Sequence, residues 1–324
     1  MIRFVGYLVL SVLGALPTLS LAADGAWPNR PIRIFAPGDV GGVLDIRARW
    51  LAERLTPLLG QNVIVENRPG AGGAIGTEIG ARSPADGYML TLIHLGTMAV
   101  NPHLYRRLCY DPLADFVPIT QITGGPLVLA VTSSVPASTL ADLLRLAKAQ
   151  PGQLNFGSGG TGTPGHLAEE LFKRVAGIDA MHVPYKGGAQ AVSALLSGEI
   201  TFMVENPSVL LPHVNSARLR ALAVTGAARL KSLPDVPTTM EAGLPDFEFV
   251  AWTGLAAPTG TPRPVIDRIH SEIRGLMATP KAGEWLESIG SYPRTDTPEA
   301  FAATIRADHA KWGKVIHAAG IRLE

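Results

Sequence analysis

The sequence predicts an α/β fold with two Rossmann-like lobes that face each other across a ligand cleft. Three observations support this prediction. A unit made of a strand, a glycine loop and a helix occurs at residues 31–55 and again at residues 154–176. Strands and helices also alternate along much of the remaining chain. With 324 residues, 47% of them hydrophobic, the chain is long enough to fill two cores of ordinary size.

The first unit begins with an apolar stretch at residues 32–36, which ends at Pro37 as a buried strand would. A helix is predicted after the loop because apolar residues recur there at steps of three and four. These residues are Leu44, Ala48, Leu51 and Leu55. The first unit therefore changes from a strand pattern to a helix pattern across a short loop.

The loop of the first unit is a predicted anion-binding site. It contains Gly38, Gly41 and Gly42, and Asp45 follows in the first helical turn. A glycine loop of this kind leaves backbone N–H groups exposed, and the helix dipole adds partial positive charge at the same place. The loop therefore favours an anion.

The second unit repeats this pattern with a strand at 154–156, a glycine loop at 157–162 and a helix at 164–176. The loop matches the dinucleotide motif G-x-G-x-x-G. The acid that would bind a ribose belongs at the end of the next strand, whereas Asp179 precedes that strand. We therefore predict an anion loop for a smaller ligand, and no cofactor.

The other elements follow from apolar patterns and turn residues. Strands are predicted at 62–65, 88–93, 117–123, 127–132, 180–184, 199–204, 219–225 and 249–257. Helices are predicted at 74–81, 97–106, 140–149, 188–196, 262–278 and 281–288, with a last helix that starts at 297–299. The order of elements in the first part predicts a parallel sheet covered on both faces.

Two crossings between the lobes are predicted. The first is Gly124-Gly125-Pro126, which separates two strands, and the return follows the strand at 219–225. Residues 23–123 and 226–324 would then form lobe 1, and residues 124–225 would form lobe 2. Because extended crossings can act as hinges, we expect the lobes to close on a ligand.

Residues 1–22 are predicted to be a cleavable signal peptide. Arg3 precedes an apolar run at 4–16, and small residues stand before the cleavage site at Ala22. The alternative is a retained membrane anchor, but the run is shorter than the roughly 20 residues that span a bilayer. Cys109 is the only cysteine, so the chain has no intramolecular disulfide. Export without disulfides indicates a bacterial periplasm.

Composition and motifs favour binding over catalysis. The net charge is +1 and the basic residues are scattered, which argues against a nucleic-acid partner. The eight histidines lack metal-ligand spacing, no hydrolase elbow surrounds Ser158, and no P-loop is present. The alternative is an exported α/β enzyme acting on a small carboxylate, which would have to recruit His166, Asp45 and Glu205.

Three candidate ligand contacts stand at the carboxyl ends of strands, where open α/β sheets bind ligands: Tyr185, Glu205 and Asn206. We assign Asn206 to the cleft rather than to the surface. Lys186 follows Tyr185 and is either a solvated side chain or a ligand contact.

The interpretation of three other side chains depends on where they point. His166, in the first turn of the second unit's helix, either donates to a bound oxyanion or packs beneath the loop. His182 is interpreted as structural, and Trp252 as a core residue rather than a lid.

Several segments, in this order and spacing, also carry a resemblance to a known family. They are Pro37 with Gly41-Gly42 and Asp45, residues 66–73, 86–88, Asn101-Pro102, Gly162-Thr163 with His166, residues 182–187, 220–223, 233–238 and 258–262. The chain resembles the Bug-type (TctC) solute receptors of tripartite tricarboxylate transporters along essentially its whole mature length.

The resemblance implies a type II periplasmic-binding-protein-like fold that closes on a small organic carboxylate. In such receptors the first glycine loop and its counterpart on the other lobe hold the carboxylate, partly through ordered water. A membrane permease would receive the ligand from a monomeric receptor. The expected ligand-binding residues are Gly38, Asp39, Gly41, Gly42, Asp45, Gly96, Thr97, Ser158, Gly162, Thr163, His166, Tyr185, Glu205 and Asn206.

The first loop departs from the family pattern of proline, aromatic, any residue, proline, two glycines and a hydroxyl residue. Gly38 replaces the aromatic residue, and Asp39 and Val40 fill the next two places. If Asp39 faces the cleft, it would repel a second ligand carboxylate and favour a ligand with one carboxylate beside an amine or an apolar body. Otherwise it turns outward and caps the helix of Asp45 or meets solvent. Val43 and Leu44 follow the glycines where the family pattern has a hydroxyl residue, so this wall lacks a hydroxyl donor.

Overall fold

The computed structural model describes residues 27–319, so the predicted signal peptide lies outside the described residues. The first sheet has six strands in the order β11-β4-β10-β3-β1-β2. Its strands are β1 (Ile32–Ala36), β2 (Val63–Asn67), β3 (Met89–His94), β4 (Phe116–Pro126), β10 (Val250–Pro258) and β11 (Tyr292–Pro293). Strands β1, β2 and β3 pair in parallel, whereas β10 runs antiparallel to β3 and β4. The parallel pairing predicted for the first part of the chain is therefore confirmed for β1, β2 and β3, but the complete sheet is mixed.

The helices of this part of the chain cover the first sheet. They are α1 (Val43–Leu59), α2 (Ala74–Ala81), α3 (Asn101–Leu104), α8 (Arg263–Met277), α9 (Pro280–Ser288) and α10 (Pro298–Ala319). The helix predicted at 97–106, with an interruption at Asn101-Pro102, is present but ends at Leu104 and is not one regular α-helix. The chain instead forms a π-helical turn at Gly96–Val100 followed by the short α3. Pro102 lies at the start of α3, where its missing N–H is tolerated.

The second sheet has five strands in the order β7-β6-β8-β5-β9. The strands are β5 (Val128–Thr132), β6 (Asn155–Ser158), β7 (Met181–Pro184), β8 (Phe202–Glu205) and β9 (Leu219–Val224). Its helices are α4 (Leu140–Ala149), α5 (Pro164–Ala176), α6 (Gly188–Ser197) and α7 (Pro207–Asn215). Helix α7 was not predicted, because Pro207 and Pro212 obscure its pattern; Pro207 occupies the first turn, where proline is favoured.

Gly124 and Gly125 do not form the loop that we predicted, because β4 continues through them to Pro126. Gly124 pairs with Trp252 on one side and with Tyr292 on the other. A Cβ at Gly124 would lie 2.6 Å from the Tyr292 ring, so the glycine makes room for that ring within the sheet.

Two segments connect the sheets side by side, and Thr225 joins them. Its backbone N–H donates to Leu127 O at 2.9 Å, and its hydroxyl accepts from Leu127 N at 2.8 Å. The same hydroxyl donates to Phe249 O at 2.6 Å, and Phe249 N donates back to Thr225 O. The connections therefore lie together at one edge of the cleft, where a hinge between the predicted lobes would act.

Three apolar clusters hold these layers together. One lies between the first sheet and helices α1 and α8, and includes Ile34, Leu51 and Ile269. A second lies against α6 and α7 on one face of the second sheet. The largest runs from β3 through β5 to Phe156, so it joins the two sheets. Among residues 27–319, no helix is long and apolar enough to cross a bilayer.

Candidate functional site

A cavity of about 90 Å³ lies between the two sheets. One wall comes from the loops after β1 and β3 and from β10, and includes Gly38, Asp39 and His94. The opposite wall comes from the loops before α5, α6 and α7, and includes Thr163 and Glu205. A space of this size holds several water molecules or a small organic ligand.

The two walls touch beside the cavity through glycines. A Cβ at Gly72 would lie 2.3 Å from Thr161 O, and a Cβ at Gly162 would lie 2.3 Å from Asn101 Oδ1. Both glycines have positive φ, +59° and +86°, which also favours glycine. Tyr105 adds a hydrogen bond from its hydroxyl to Thr161 O at 3.3 Å. The backbones of the two lobes therefore approach more closely than any side chain would allow.

Arg47 places a buried cation at the cavity. It lies on α1, one turn after Val43 and one turn before Leu51, so the apolar face of the helix carries it inward. Its guanidinium donates to Thr253 Oγ1, to Ser291 Oγ at 3.0 Å and to Asn206 Oδ1 at 3.3 Å. Burial lowers the pKa of Arg47 to about 10, against the opposite influence of Glu205, so the group is charged at neutral pH.

No carboxylate of the described residues lies within 4.0 Å of the Arg47 guanidinium. Its neighbours are neutral oxygens, which orient the group but do not neutralise it. A buried charge without a close counter-ion is unfavourable by several kcal/mol. The cavity therefore offers a fixed positive charge to a bound anion.

Glu205 ends β8 and lies at the same cavity. Its Oε1 accepts hydrogen bonds from Asn206 N at 2.7 Å and from Asn206 Nδ2 at 3.0 Å. Burial raises the pKa of Glu205, whereas these two hydrogen bonds and Arg47 act in the opposite direction. Asn206 thus links the two charged groups, because its amide donates to Glu205 and its oxygen accepts from Arg47.

The donors of the first glycine loop are used within the chain. Gly41 N donates to Asp45 Oδ2 at 2.9 Å, and Gly42 N donates to Asp39 O at 3.2 Å. Burial alone would raise the pKa of Asp45, but hydrogen bonds from Arg49 and Gly41 lower it on balance. Asp45 therefore caps the start of α1 as a carboxylate.

The second glycine loop is closed by an imidazole in the same position. Gly162 N donates to His166 Nδ1 at 3.2 Å, and Ser158 Oγ lies 2.7 Å from His182 Nε2. The two histidine rings are 4.1 Å apart. Burial lowers the pKa of His166 to about 3 and that of His182 to about 4, so both rings are neutral at pH 7. His166 packs beneath the loop, which is the second of the two alternatives given above.

The structure brings five of the expected ligand-binding residues to the cavity wall: Gly38, Asp39, Thr163, Glu205 and Asn206. It places the other nine behind or beside that wall: Gly41, Gly42, Asp45, Gly96, Thr97, Ser158, Gly162, His166 and Tyr185. Thr97 is fully buried and exchanges hydrogen bonds with the His94 backbone. Lys186, left open above, does line the cavity.

Sequence reasoning missed several cavity residues: Arg47, Gly72, Gly73, His94, Gly187, Gly188 and Thr253. Only Arg47 gave a usable signal, because it is a cation on the apolar face of an amphipathic helix. Trp252 is buried as expected and donates to Asp308 Oδ2 at 2.7 Å, but it also forms part of the wall. No group of three or more potential metal ligands occurs among residues 27–319.

The two-sheet fold with a cavity between the lobes defines a solute-binding protein. A family model described as the tripartite tricarboxylate transporter family receptor matches residues 47–321, so the chain belongs to this family. The resemblance stated above is thereby confirmed. Members of the family are binding proteins, and this chain is a binding protein rather than an enzyme.

Relatives and solved structures agree with this assignment. The chain is 35% identical over 321 residues to the protein BugT of Bordetella pertussis, covering 98% of each chain. A structure of an R. palustris protein with adipate is 35% identical with a TM-score of 0.89, over 92% of this chain and 100% of that one. MatC from Rhodopseudomonas palustris, solved with bound malate, is 28% identical with a TM-score of 0.84, over 90% and 100%. The predicted type II periplasmic-binding-protein-like fold is confirmed.

Proposed function

We propose that this protein captures a small organic carboxylate in the interlobe cavity and delivers it to the membrane components of a tripartite tricarboxylate-type transporter. It works as a monomer in the periplasm after removal of residues 1–22. The family description supports the transporter partner. The adipate and malate bound by two related structures support the ligand class.

Arg47 is the observation that carries this proposal. Its guanidinium is buried at the cavity, oriented by three neutral oxygens and without a close carboxylate among the described residues. A ligand carboxylate would supply that counter-ion through charge-assisted hydrogen bonds. The wall around it is partly apolar, with Val43, Leu44 and Trp252, which suits an organic acid rather than a hydrated inorganic anion.

Replacing Arg47 tests the ligand class. Calorimetry with a panel of straight-chain carboxylates of two to eight carbons should identify binding acids for the wild type. In Arg47→Gln we expect affinity for these acids to fall at least about a hundredfold, roughly 2.7 kcal/mol. Arg49→Gln is the matched control, because it removes the same charge from α1 at an exposed position paired with Asp45. It should bind within a factor of a few of the wild type.

Two outcomes would contradict the proposal. Equal losses in Arg47→Gln and Arg49→Gln would show a general charge effect rather than a site. An unchanged affinity in a folded Arg47→Gln protein would remove Arg47 from the site.

Delivery and export are tested in cells. Uptake of a labelled acid that binds in vitro should require both this receptor and the transporter's membrane components. The mature protein should begin at Ala23 or Asp24 in the periplasmic fraction, which N-terminal sequencing can check. Met1 retained on exported protein would contradict the signal-peptide prediction, and receptor-independent uptake would contradict delivery.

A further inference from the structure

Asp39 reaches from the first lobe to the start of helix α6 on the second lobe. A Cβ placed on Gly187, the residue before α6, would lie 2.1 Å from Asp39 Cγ and 2.2 and 2.3 Å from its two oxygens. The carboxylate therefore rests directly against the Gly187 backbone. Burial raises the pKa of Asp39, and a hydrogen bond from the backbone of Ala189, in the first turn of α6, acts in the opposite direction. Asp39 thus points towards the other lobe and is half-buried.

The N-cap position of helix α6 provides no side-chain hydrogen bond to the helix start. Its N-cap residue is Gly187, which has no side chain to accept a hydrogen bond, and the first turn contains no acidic residue. The ten residues of α6 leave unpaired N–H groups and partial positive charge at this end, which borders the cavity. The anionic partner that such a helix start favours is supplied by Asp39.

We propose that Asp39 is a specificity-determining residue, which fills the anion position at the start of α6 from within the chain and so restricts the receptor to ligands with a single carboxylate. This inference rests on the proposed function, in which Arg47 holds the ligand carboxylate. A ligand with a second carboxylate directed at α6 finds that position taken by a like charge. Glu205 lies at the same end of the cavity, where a Cβ on Gly188 would be 3.6 Å from its Oε2. Two carboxylates of the protein, those of Asp39 and Glu205, therefore lie at the start of α6 beside the cavity.

The test compares acids that differ only in the second carboxylate. The probes are straight-chain monocarboxylates of two to eight carbons and the α,ω-dicarboxylates of the same length, measured by calorimetry at pH 7. For the wild type we expect each monocarboxylate that binds to exceed its matched dicarboxylate by at least tenfold in affinity. In Asp39→Asn this ratio should fall at least tenfold. The ratio is informative even when the substitution lowers the affinity for both ligands. A general loss of contact between the lobes lowers both affinities by the same factor and leaves their ratio unchanged.

A second variant reaches the same carboxylate from the other lobe. Gly187 has φ −171°, which alanine adopts freely, so Gly187→Ala acts by displacing Asp39 rather than by backbone strain. It should shift the selectivity ratio as Asp39→Asn does, and adding it to Asp39→Ala should change the ratio no further. Asp267→Asn on the surface of α8 and Gly283→Ala, which has open space around it, are the matched controls and should leave the ratio unchanged.

The outcomes separate the two proposals. If the wild type binds dicarboxylates as well as or better than monocarboxylates, or if the ratio in Asp39→Asn and in Gly187→Ala is unchanged from that of the wild type, Asp39 does not select and the inference is overturned while carboxylate binding stands. If no acid binds the wild type, the proposed function fails, and this inference fails with it.

Discussion

The glycine loop before α1 and the glycine loop before α5 lie on opposite sides of the same cavity and are closed in the same way. In each, a glycine N–H donates to the side chain four residues later, from Gly41 to Asp45 and from Gly162 to His166. The partner is a carboxylate in the first loop and a neutral imidazole in the second. Because both loops use these donors internally, the proposed function assigns the attraction of the ligand carboxylate to Arg47 instead.

The two loops also differ in which of their groups contact the opposite side of the cleft. The first loop contributes a charged side chain, Asp39, which reaches α6. The second loop contributes its backbone, since Thr161 O and Gly162 lie against Gly72 and Asn101. The comparison suggests that the first loop sets ligand chemistry and that the second sets how closely the lobes approach. Each part of this statement can be tested by a substitution that touches only one loop.

The largest effect is expected from the same substitution made in each loop. In Gly162→Ala the new Cβ meets Asn101 Oδ1 at 2.3 Å from the facing lobe, at a φ of +86° that disfavours alanine. We expect the affinity for a carboxylate that binds the wild type to fall at least about a hundredfold, roughly 2.7 kcal/mol. In Gly42→Ala the new Cβ meets Asp39 Oδ1 at 2.5 Å, the end of a side chain that can rotate, and the Asp39 backbone oxygen at 3.2 Å, so the loss should stay below about tenfold.

Calorimetry gives both affinities, and small-angle scattering reports closure. The radius of gyration of the wild type and of Gly42→Ala should fall when the acid is added, whereas that of Gly162→Ala should change less. Wild-type affinity together with normal compaction in Gly162→Ala would show that the ligand-bound state does not need this backbone contact.

The sequence predicted the secondary-structure elements of the two loops better than the contacts that the loops make. The strand–loop–helix units, both sheets and most helices were predicted, because strand and helix periodicities are local and punctuated by glycine and proline. The cavity was predicted less well. Loop glycines were assigned to anion binding, but their N–H groups already bond to Asp45 and His166. Such pairings depend on side-chain direction, and the contacts of Asp39 and Arg47 join residues more than 140 positions apart. A single sequence carries no local signal for such contacts, although the place of Arg47 on the apolar face of α1 does indicate its burial.

The second prediction concerns stability at low pH. There we expect the His166 imidazole to hold the second loop less strongly than the Asp45 carboxylate holds the first. Burial lowers the pKa of His166 to about 3, below the ordinary value of about 6.5. Below pH 6.5 the unfolded chain therefore binds a proton at His166 that the folded chain does not bind. The contribution of neutral His166 to the free energy of unfolding is fully present above pH 6.5 and is lost as pH falls towards 4. His166→Asn keeps an acceptor near the Nδ1 position but does not titrate. We expect it to lose less stability than the wild type over this range, by roughly 3 kcal/mol at pH 4.

Urea unfolding at a series of pH values measures this difference. His94 has a pKa lowered to about 4, but it is present in both proteins and cancels in the comparison. His182 lies 4.1 Å from His166, so the measured difference includes any change in the pKa of His182. Parallel loss of stability in the wild type and in His166→Asn between pH 6.5 and 4 would mean that His166 does not contribute to the acid sensitivity.

The smallest expected effect is a difference in salt dependence between the cap of α1, which is charged, and the cap of α5, which is not. Asp45 accepts from Gly41 N and pairs with Arg49 at 2.8 Å, so it acts through charge as well as through a hydrogen bond. Thr163 is an uncharged N-cap, whose hydroxyl donates to Gly160 O at 2.7 Å and accepts from His166 N. Asp45→Ala and Thr163→Ala should each lower the free energy of unfolding by about 1 kcal/mol in low salt. Salt at about 1 M reduces the Debye length to about 3 Å, so the cost of Asp45→Ala should shrink while that of Thr163→Ala stays constant. Urea unfolding at low salt and at about 1 M salt measures both losses. Equal salt dependence of the losses in Asp45→Ala and Thr163→Ala would mean that charge contributes no more to the Asp45 cap than to the Thr163 cap.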